Sequence, residues 1–446
     1  MRSQLAAVLL ASLCSAQQRD ARPSAEWLKP GIIYEINPRA FSPGGDFRGI
    51  EVQLPRLEKL GVTILWLMPV QPPGQLNKKG LLGSPYAVRD YYAINPDYGT
   101  AADLKHLVQV AHAHGLRIII DIVANHTAWD SVLMKHPEYF KHDSTGKVIS
   151  PVPDWADVAA LNYANPELRK YMLDMLKYWL REFDLDGFRC DVAFMVPVDF
   201  WDEARRQLDM IKPSIIMIAE AHEPQLLVKA FDLDYAWPFH TSLTDVFEHG
   251  APAAAIRAEW EQTRAHYPKG AMEMRFSDNH DEKRAIARFG ERGALAASAL
   301  VFTLDGVPML YNGMEVGDTT ESGAPALFYK LPVFWEIAER RPEFPKFYSQ
   351  MIALRRSHPG LQQGATTWIP NADPDRILTF YRRGGSEEFL VAINCSNRLF
   401  FGTIEATGHY DDVTPRLDDG KAAVPALPVL SLDAWGFRIL RRRTSE

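Results

Sequence analysis

Eight short runs rich in β-branched and apolar residues recur along the chain, most of them followed by a stretch of helical periodicity. No other feature restricts the fold as much. The runs are GIIYEI (31–36), VTILWLMPV (62–70), RIIIDIV (117–123), GFRCD (187–191), IIMIAEA (215–221), LDYAWPF (233–239), AMEMRFSDN (271–279) and VPMLYNG (307–313). Between them lie amphipathic segments such as TAADLKHLVQVAHAHG, stopped by Gly115, and NPELRKYMLDMLKYWLREF, opened by Pro166. Strands alternating with helices bury their apolar faces as a parallel sheet. Eight such units predict an α/β fold of the (β/α)8 TIM-barrel type over residues 28–361. The alternative is a doubly wound nucleotide-binding sheet, but SPGGDFRGI after the first run lacks GxGxxG spacing.

Two segments fall outside the alternation. After the third run, residues 126–164 hold Trp129, Trp155, several prolines and few helix signals, which predicts an inserted loop subdomain on the side where a barrel carries its active site. From residue 362 to 446 the runs RILTFYRRG, EEFLVAINCS, FFGTIEATG and GFRILRRR alternate with Asn, Gly, Pro and Asp. That pattern predicts a C-terminal all-β sandwich domain.

The net charge of −7 is spread along the chain, which argues against nucleic acid as a partner. No run of about 18 apolar residues follows the N-terminus, so no membrane span is expected. At the N-terminus, MRSQLAAVLLASLCSAQ has a basic start, an apolar centre and a small-residue end. It reads as a signal peptide over residues 1–17 and predicts an exported protein, periplasmic or extracellular. Cys190 and Cys395 are then the only thiols left, and they are expected to be buried and free.

Polar residues gather at the ends of the apolar runs, where a barrel opens to its catalytic face. Asp121, Asn125 and His126 end the third, Arg189 and Asp191 the fourth, Glu220 and His222 the fifth, and Asn279, His280 and Asp281 the seventh. Singly, each is explained as a cap, a turn former or a structural ion pair. Together they would bury several unpaired carboxyls in one place, which is costly without a functional reason. Glycoside cleavage needs such a set, with one carboxyl ionised and one protonated. Period-two alternation puts Arg189 and Asp191 on one face, and the guanidinium favours an ionised Asp191 as nucleophile. Glu220 follows the apolar IIMIA, a setting that raises a carboxyl pKa and suits a general acid. Asp281 is the candidate third carboxylate, stabilising the positively charged transition state.

The segments DIVANH, GFRCDVA, IAEAH and FSDNHD, in this order and on these runs, resemble the four conserved segments of the alpha-amylase family of glycoside hydrolases (family 13 type). YEINPRAF, GSPYAVRDYYAINPDYGT, LNYANPELR and GVPMLYNGME extend the resemblance over residues 31–360. It implies a retaining attack on alpha-glucosidic, mainly alpha-1,4, bonds of maltooligosaccharides, cyclodextrins or starch-type glucans. It matches Asp191 to the nucleophile, Glu220 to the acid/base and Asp281 to the stabiliser. Arg189, Tyr86, His126, His280 and Asn279 fall at substrate-binding or orienting positions, with Asp90 as a structural partner of Tyr86. Asn125 matches a position that ligates calcium in many relatives, so the resemblance implies a Ca2+ ligand there. One departure counts against both calcium and a starch endo-amylase: VAFMV follows Asp191 where endo-acting amylases carry a Lys-His pair. An alpha-glucan transglycosylase or a sucrose- or trehalose-type isomerase shares the same covalent intermediate and is the alternative. A non-catalytic carbohydrate-binding protein is a more remote one, since all three carboxylates are present.

Overall fold

A computed structural model of the protein describes residues 19–417 and 425–443; the expected signal peptide lies outside the described residues. Each of the eight apolar runs contains a strand: β1 (Ile33–Ile36), β2 (Ile64–Leu67), β3 (Arg117–Ile122), β4 (Gly187–Cys190), β5 (Ile216–Ala219), β6 (Leu233–Tyr235), β7 (Met272–Arg275) and β8 (Val307–Tyr311). Neighbours in the chain pair in parallel, and β8 closes on β1 to complete the barrel. Burial on both faces explains why these runs are nearly continuous in apolar residues.

The connecting helices begin and end where the local chemistry directs. Helix Ala101–Ala113 opens on a capping box, in which the Thr100 hydroxyl accepts the Asp103 N–H at 3.3 Å and the Asp103 carboxylate accepts the Thr100 N–H at 2.7 Å. It stops at His114, before the left-handed Gly115. Asn165 caps helix Pro166–Phe183, which turns Leu168, Met172, Met175, Leu176 and Trp179 into the core. One unit is less complete than the alternation predicts. Between β5 and β6 the chain has room only for the turn Pro224–Leu227. No helix among the described residues is long and apolar enough to cross a membrane.

In the insert, strand His126–Ala128 pairs antiparallel with Val158–Ala160. Trp129 donates its indole N–H to Ala156 O at 2.9 Å, so it pins the insert to itself. The C-terminal part holds β9 (Ala365–Trp368), β10 (Ile377–Gly384), β11 (Glu387–Asn394), β12 (Phe400–Thr403), β13 (Asp411–Asp412), β14 (Val429–Leu432) and β15 (Phe437–Arg443). They form a sheet in the order β9-β10-β11-β15-β13 and a β12–β14 pair, with Leu390, Phe400, Leu430 and Leu440 buried in one cluster. A buried arginine fastens this part to the barrel: Arg382 donates to Thr303 O at 2.8 Å. Cys190 and Cys395 are free and buried.

Gly187 starts β4 with φ +148°, and a Cβ there would lie 1.9 Å from the carbonyl oxygen of Ile216 on β5. Any side chain must push apart the two strands that carry Asp191 and Glu220. Gly187→Ala is expected to destabilise the protein by more than about 4 kcal/mol, measured by urea unfolding against the parent chain.

Candidate active site

The parallel register brings the strand ends together. Asp121 pairs with Arg189 across β3 and β4, and Cys190 pairs with Ala219 across β4 and β5, so Asp191 and Glu220 leave neighbouring strands side by side. The Glu220 N–H donates to Cys190 O at 3.0 Å and the Asp191 N–H to Ile122 O at 2.9 Å, which extends the ladder to both residues.

Tyr86, His126, Asp191, Glu220, His280 and Asp281 line one cavity of about 440 Å³. Arg189 lies beneath it, fully buried. Its Nη1 donates to Asp121 Oδ1 at 2.8 Å and to Asp191 Oδ1 at 3.0 Å, and its Nε donates to the Tyr235 hydroxyl at 3.0 Å. Its Nη2 lies 2.7 Å from Glu220 Oε2, an ion pair bent away from hydrogen-bond alignment. Trp66, Tyr86 and Tyr235 surround the guanidinium, with ring centroids 5.1, 5.7 and 5.5 Å away.

The second charged centre is His280. Its Nδ1 is hydrogen-bonded to Glu35 of β1, and its Nε2 lies 2.7 Å from the Tyr86 hydroxyl and 3.2 Å from Asp281 Oδ2. The Tyr86 hydroxyl also donates to Asp121 Oδ2 at 3.0 Å, and its ring stacks on that of His280 at 5.3 Å. Burial opposes a charge on His280, but Asp281 and Glu35 outweigh it and raise the pKa to about 9. His126 differs: burial lowers its pKa to about 4, so its ring is neutral 3.8 Å from Asp191.

The carboxyl pair titrates differently from the sequence expectation. Burial raises Asp191 well above the usual carboxylate range, and the neighbouring Glu220 adds to it, against the opposing pull of Arg189. Glu220 is buried too, but Arg189 and the Val192 N–H, at 2.8 Å from Oε2, hold it below its ordinary value. The apolar strand before Glu220 therefore does not decide its protonation. The Arg189 fork reaches it as well as Asp191, and the two carboxyls titrate as one pair.

Several expectations need correction. Asn279 does not reach the cavity: it is fully buried, and its Oδ1 accepts the Asp281 N–H at 3.0 Å. Asp90 accepts the Tyr92 N–H at 3.0 Å and forms a turn, not a bond to Tyr86. His222 meets the Tyr267 hydroxyl at 2.6 Å, outside the cavity lining. Asn125 turns its amide toward the His126 ring, at 3.3 Å, and Met195 Sδ, at 3.7 Å. Calcium takes six to eight oxygen ligands, and neither the His126 ring nor Met195 Sδ beside Asn125 supplies one. Among the described residues, no group of three or more His, Cys, Asp and Glu could hold a metal. Sequence reasoning missed Glu35, Tyr235, Lys79, Trp237 and Phe328. Of these, only Glu35 carried a signal, as a carboxylate inside the apolar run GIIYEI.

The family model described as "Alpha amylase, catalytic domain" matches residues 16–147 and 152–346. The chain belongs to the alpha-amylase family. Among curated relatives in the family, the Bacillus subtilis protein named "Intracellular maltogenic amylase" is 31% identical over 429 residues, 85% of this chain and 71% of that one. A protein named "Cyclomaltodextrinase" from Geobacillus thermopakistaniensis is 27% identical over 85% of this chain and 71% of its own length. A solved alpha-amylase-family structure, the noncanonic maltogenic alpha-amylase of Thermotoga neapolitana, superposes with a TM-score of 0.81 at 32% identity, covering 94% of this chain and 97% of that one. The Lactobacillus plantarum alpha-amylase gives 0.82 at 31% identity, covering 93% and 99%. The expectation of export is overturned by the Bacillus subtilis relative, which is named an intracellular enzyme.

The His280 pKa is higher folded than unfolded, so its contribution to stability is full below about pH 6.5 and is lost as pH rises through about 9. Substrate binding that relies on the charged ring is expected to fall over the same alkaline range. His280→Asn should lower kcat/KM by about 10- to 100-fold and abolish that limb, read from a pH–rate profile on a maltooligosaccharide.

Proposed function

We propose that the enzyme is a retaining glycoside hydrolase that cleaves alpha-1,4-glucosidic bonds of maltooligosaccharides, cyclodextrins or starch-type glucans. Three carboxyl groups, Asp191, Glu220 and Asp281, line one cavity over a single buried guanidinium, and that observation carries the reading. The names of the relatives, maltogenic amylase and cyclomaltodextrinase, agree with it. In this reading residues 28–361 form the catalytic barrel, with the insert at 126–164, and residues 362–446 form the C-terminal domain.

Asp191 attacks the anomeric carbon while Glu220 gives its proton to the departing glycosidic oxygen, leaving a glycosyl ester on Asp191. Glu220 then takes a proton from water, whose oxygen displaces Asp191 and restores the free carboxylate. Each turn needs one proton on the pair, and it must be on Glu220 when the bond breaks. The two carboxyls titrate together, and burial favours keeping a proton on the pair. With the glycosidic oxygen against Glu220 the proton of the pair is on Glu220, and Asp191 is ionised beneath the sugar. Asp281 and charged His280 hold the hydroxyls of the reacting ring, and Tyr86 supplies a flat apolar face for it.

Asp191→Asn should lower turnover of maltoheptaose by at least about 10⁴-fold, followed by chromatography of the released sugars, while the folded protein remains. Turnover at the parent rate would overturn the reading. Because burial raises Asp191, the acid limb of the pH–rate profile should also lie above the usual carboxylate range.

A further inference from the structure

The mouth of the barrel is walled on the side that faces Glu220. In the eight-stranded ring β1 lies opposite β5, so the rim over β8, β1 and β2 stands across the cavity from the acid/base, with the insert after β3 at its edge. Three segments meet on that half. Buried Arg39 donates to Gly83 O at 2.8 Å and to Leu327 O at 2.7 Å, and the Leu82 N–H donates to Phe328 O at 3.0 Å. These bonds join the segment after β2 to the segment after β8. Lys79 continues the wall into the insert: its Nζ donates to Asp154 O at 2.8 Å and pairs with Asp157 Oδ1 at 3.1 Å. Lys79, Asp157, Leu327 and Phe328 all line the cavity.

When a general acid protonates the departing oxygen, the leaving group extends on the acid's side. The rest of the donor chain then points the other way, into the wall. We propose that the Lys79–Asp157 bridge is an end stop for the donor chain. The site takes the non-reducing end of a linear alpha-glucan and releases short products from it, ahead of chain interiors and of rings that have no end. The ammonium and the carboxylate offer a donor and an acceptor to the hydroxyls of the terminal ring. This inference rests on the hydrolase reading and selects among its substrates. Lys79 stands at the exposed end of the wall, its side chain 39% accessible, whereas Arg39 is buried. Shortening Lys79 therefore opens the stop and leaves the wall anchored.

The test compares two chromogenic maltoheptaosides that differ only in a 4,6-ethylidene block on the non-reducing end. The parent enzyme is expected to cleave the free substrate at least about 100-fold faster than the blocked one. Lys79→Ala should narrow that ratio about tenfold, and Lys79→Arg, which keeps a cation within reach of Asp157, should preserve it. The ratio is taken within one enzyme preparation, so a difference in folded fraction cancels. Equal cleavage of both substrates by the parent enzyme, or a ratio unmoved in Lys79→Ala, overturns the end stop and leaves the hydrolase reading standing. Cleavage of neither substrate overturns the hydrolase reading and the end stop with it.

Discussion

The buried Arg189 guanidinium holds the catalytic end of the barrel together. A charge removed from water costs several kcal/mol unless close partners replace the lost hydration. Here Asp121, Asp191 and Glu220 all contact it, and the Tyr235 hydroxyl and three aromatic rings fill the remaining directions. Those partners come from β3, from the ends of β4 and β5, and from β6, so the charge fixes how four neighbouring strands align at their C-terminal ends. Removing Arg189 leaves three buried carboxyls without their shared cation, and breaking a buried pair in this way costs about 3–5 kcal/mol. The same fork orients both carboxyls over the cavity. Site geometry and barrel stability therefore rest on one interaction.

The backbone after the nucleophile adds to this arrangement. Val192 has φ 35° and ψ 50°, a left-handed conformation that a β-branched residue avoids at a cost of about 1–3 kcal/mol. The turn aims the Val192 N–H at Glu220 Oε2 and sends the next N–H, of Ala193, to Glu220 O at 3.1 Å. The strain is tied directly to holding the Glu220 carboxylate, and it helps explain why Glu220 lies below its ordinary pKa.

The fold was legible because its signal is repeated. Eight apolar runs, each bounded by turn and cap residues, leave a parallel barrel as their natural burial, and all eight contain strands. Asp191 and Glu220 were legible for the same reason, since they directly follow strands whose ladder they continue, whereas Asp281 lies in a turn six residues beyond β7. Protonation was not legible. The sequence places Arg189 two residues from Asp191, but its contact with Glu220 arises only when β5 pairs with β4. Asn279 was misplaced because its neighbours His280 and Asp281 face the cavity, whereas its own side chain closes the turn behind them. Lys79 and Phe328 lie in irregular loops, where no periodicity relates sequence position to direction.

The two ends of β4 show what distinguishes a catalytic carboxyl from a structural one. Just before the strand, Asp186 meets Arg117 at 3.1 Å, Lys212 at 3.2 Å and His112 at 2.8 Å, and its pKa is lowered despite burial. Charge there is balanced, and the group does nothing but hold the barrel. Just after the strand, Asp191, Glu220 and Asp281, with Asp121 and Glu35 behind them, share two cations in direct contact with them, Arg189 and His280. Five carboxyls cannot all ionise against two positive charges in a buried site, so the site retains protons at neutral pH. The imbalance has a chemical use: the bond-breaking transition state develops a third positive charge on the sugar, at the centre of the excess negative groups. The catalytic end is thus under-compensated in the resting enzyme and becomes better matched as the reaction proceeds, whereas the opposite end is fully compensated from the outset.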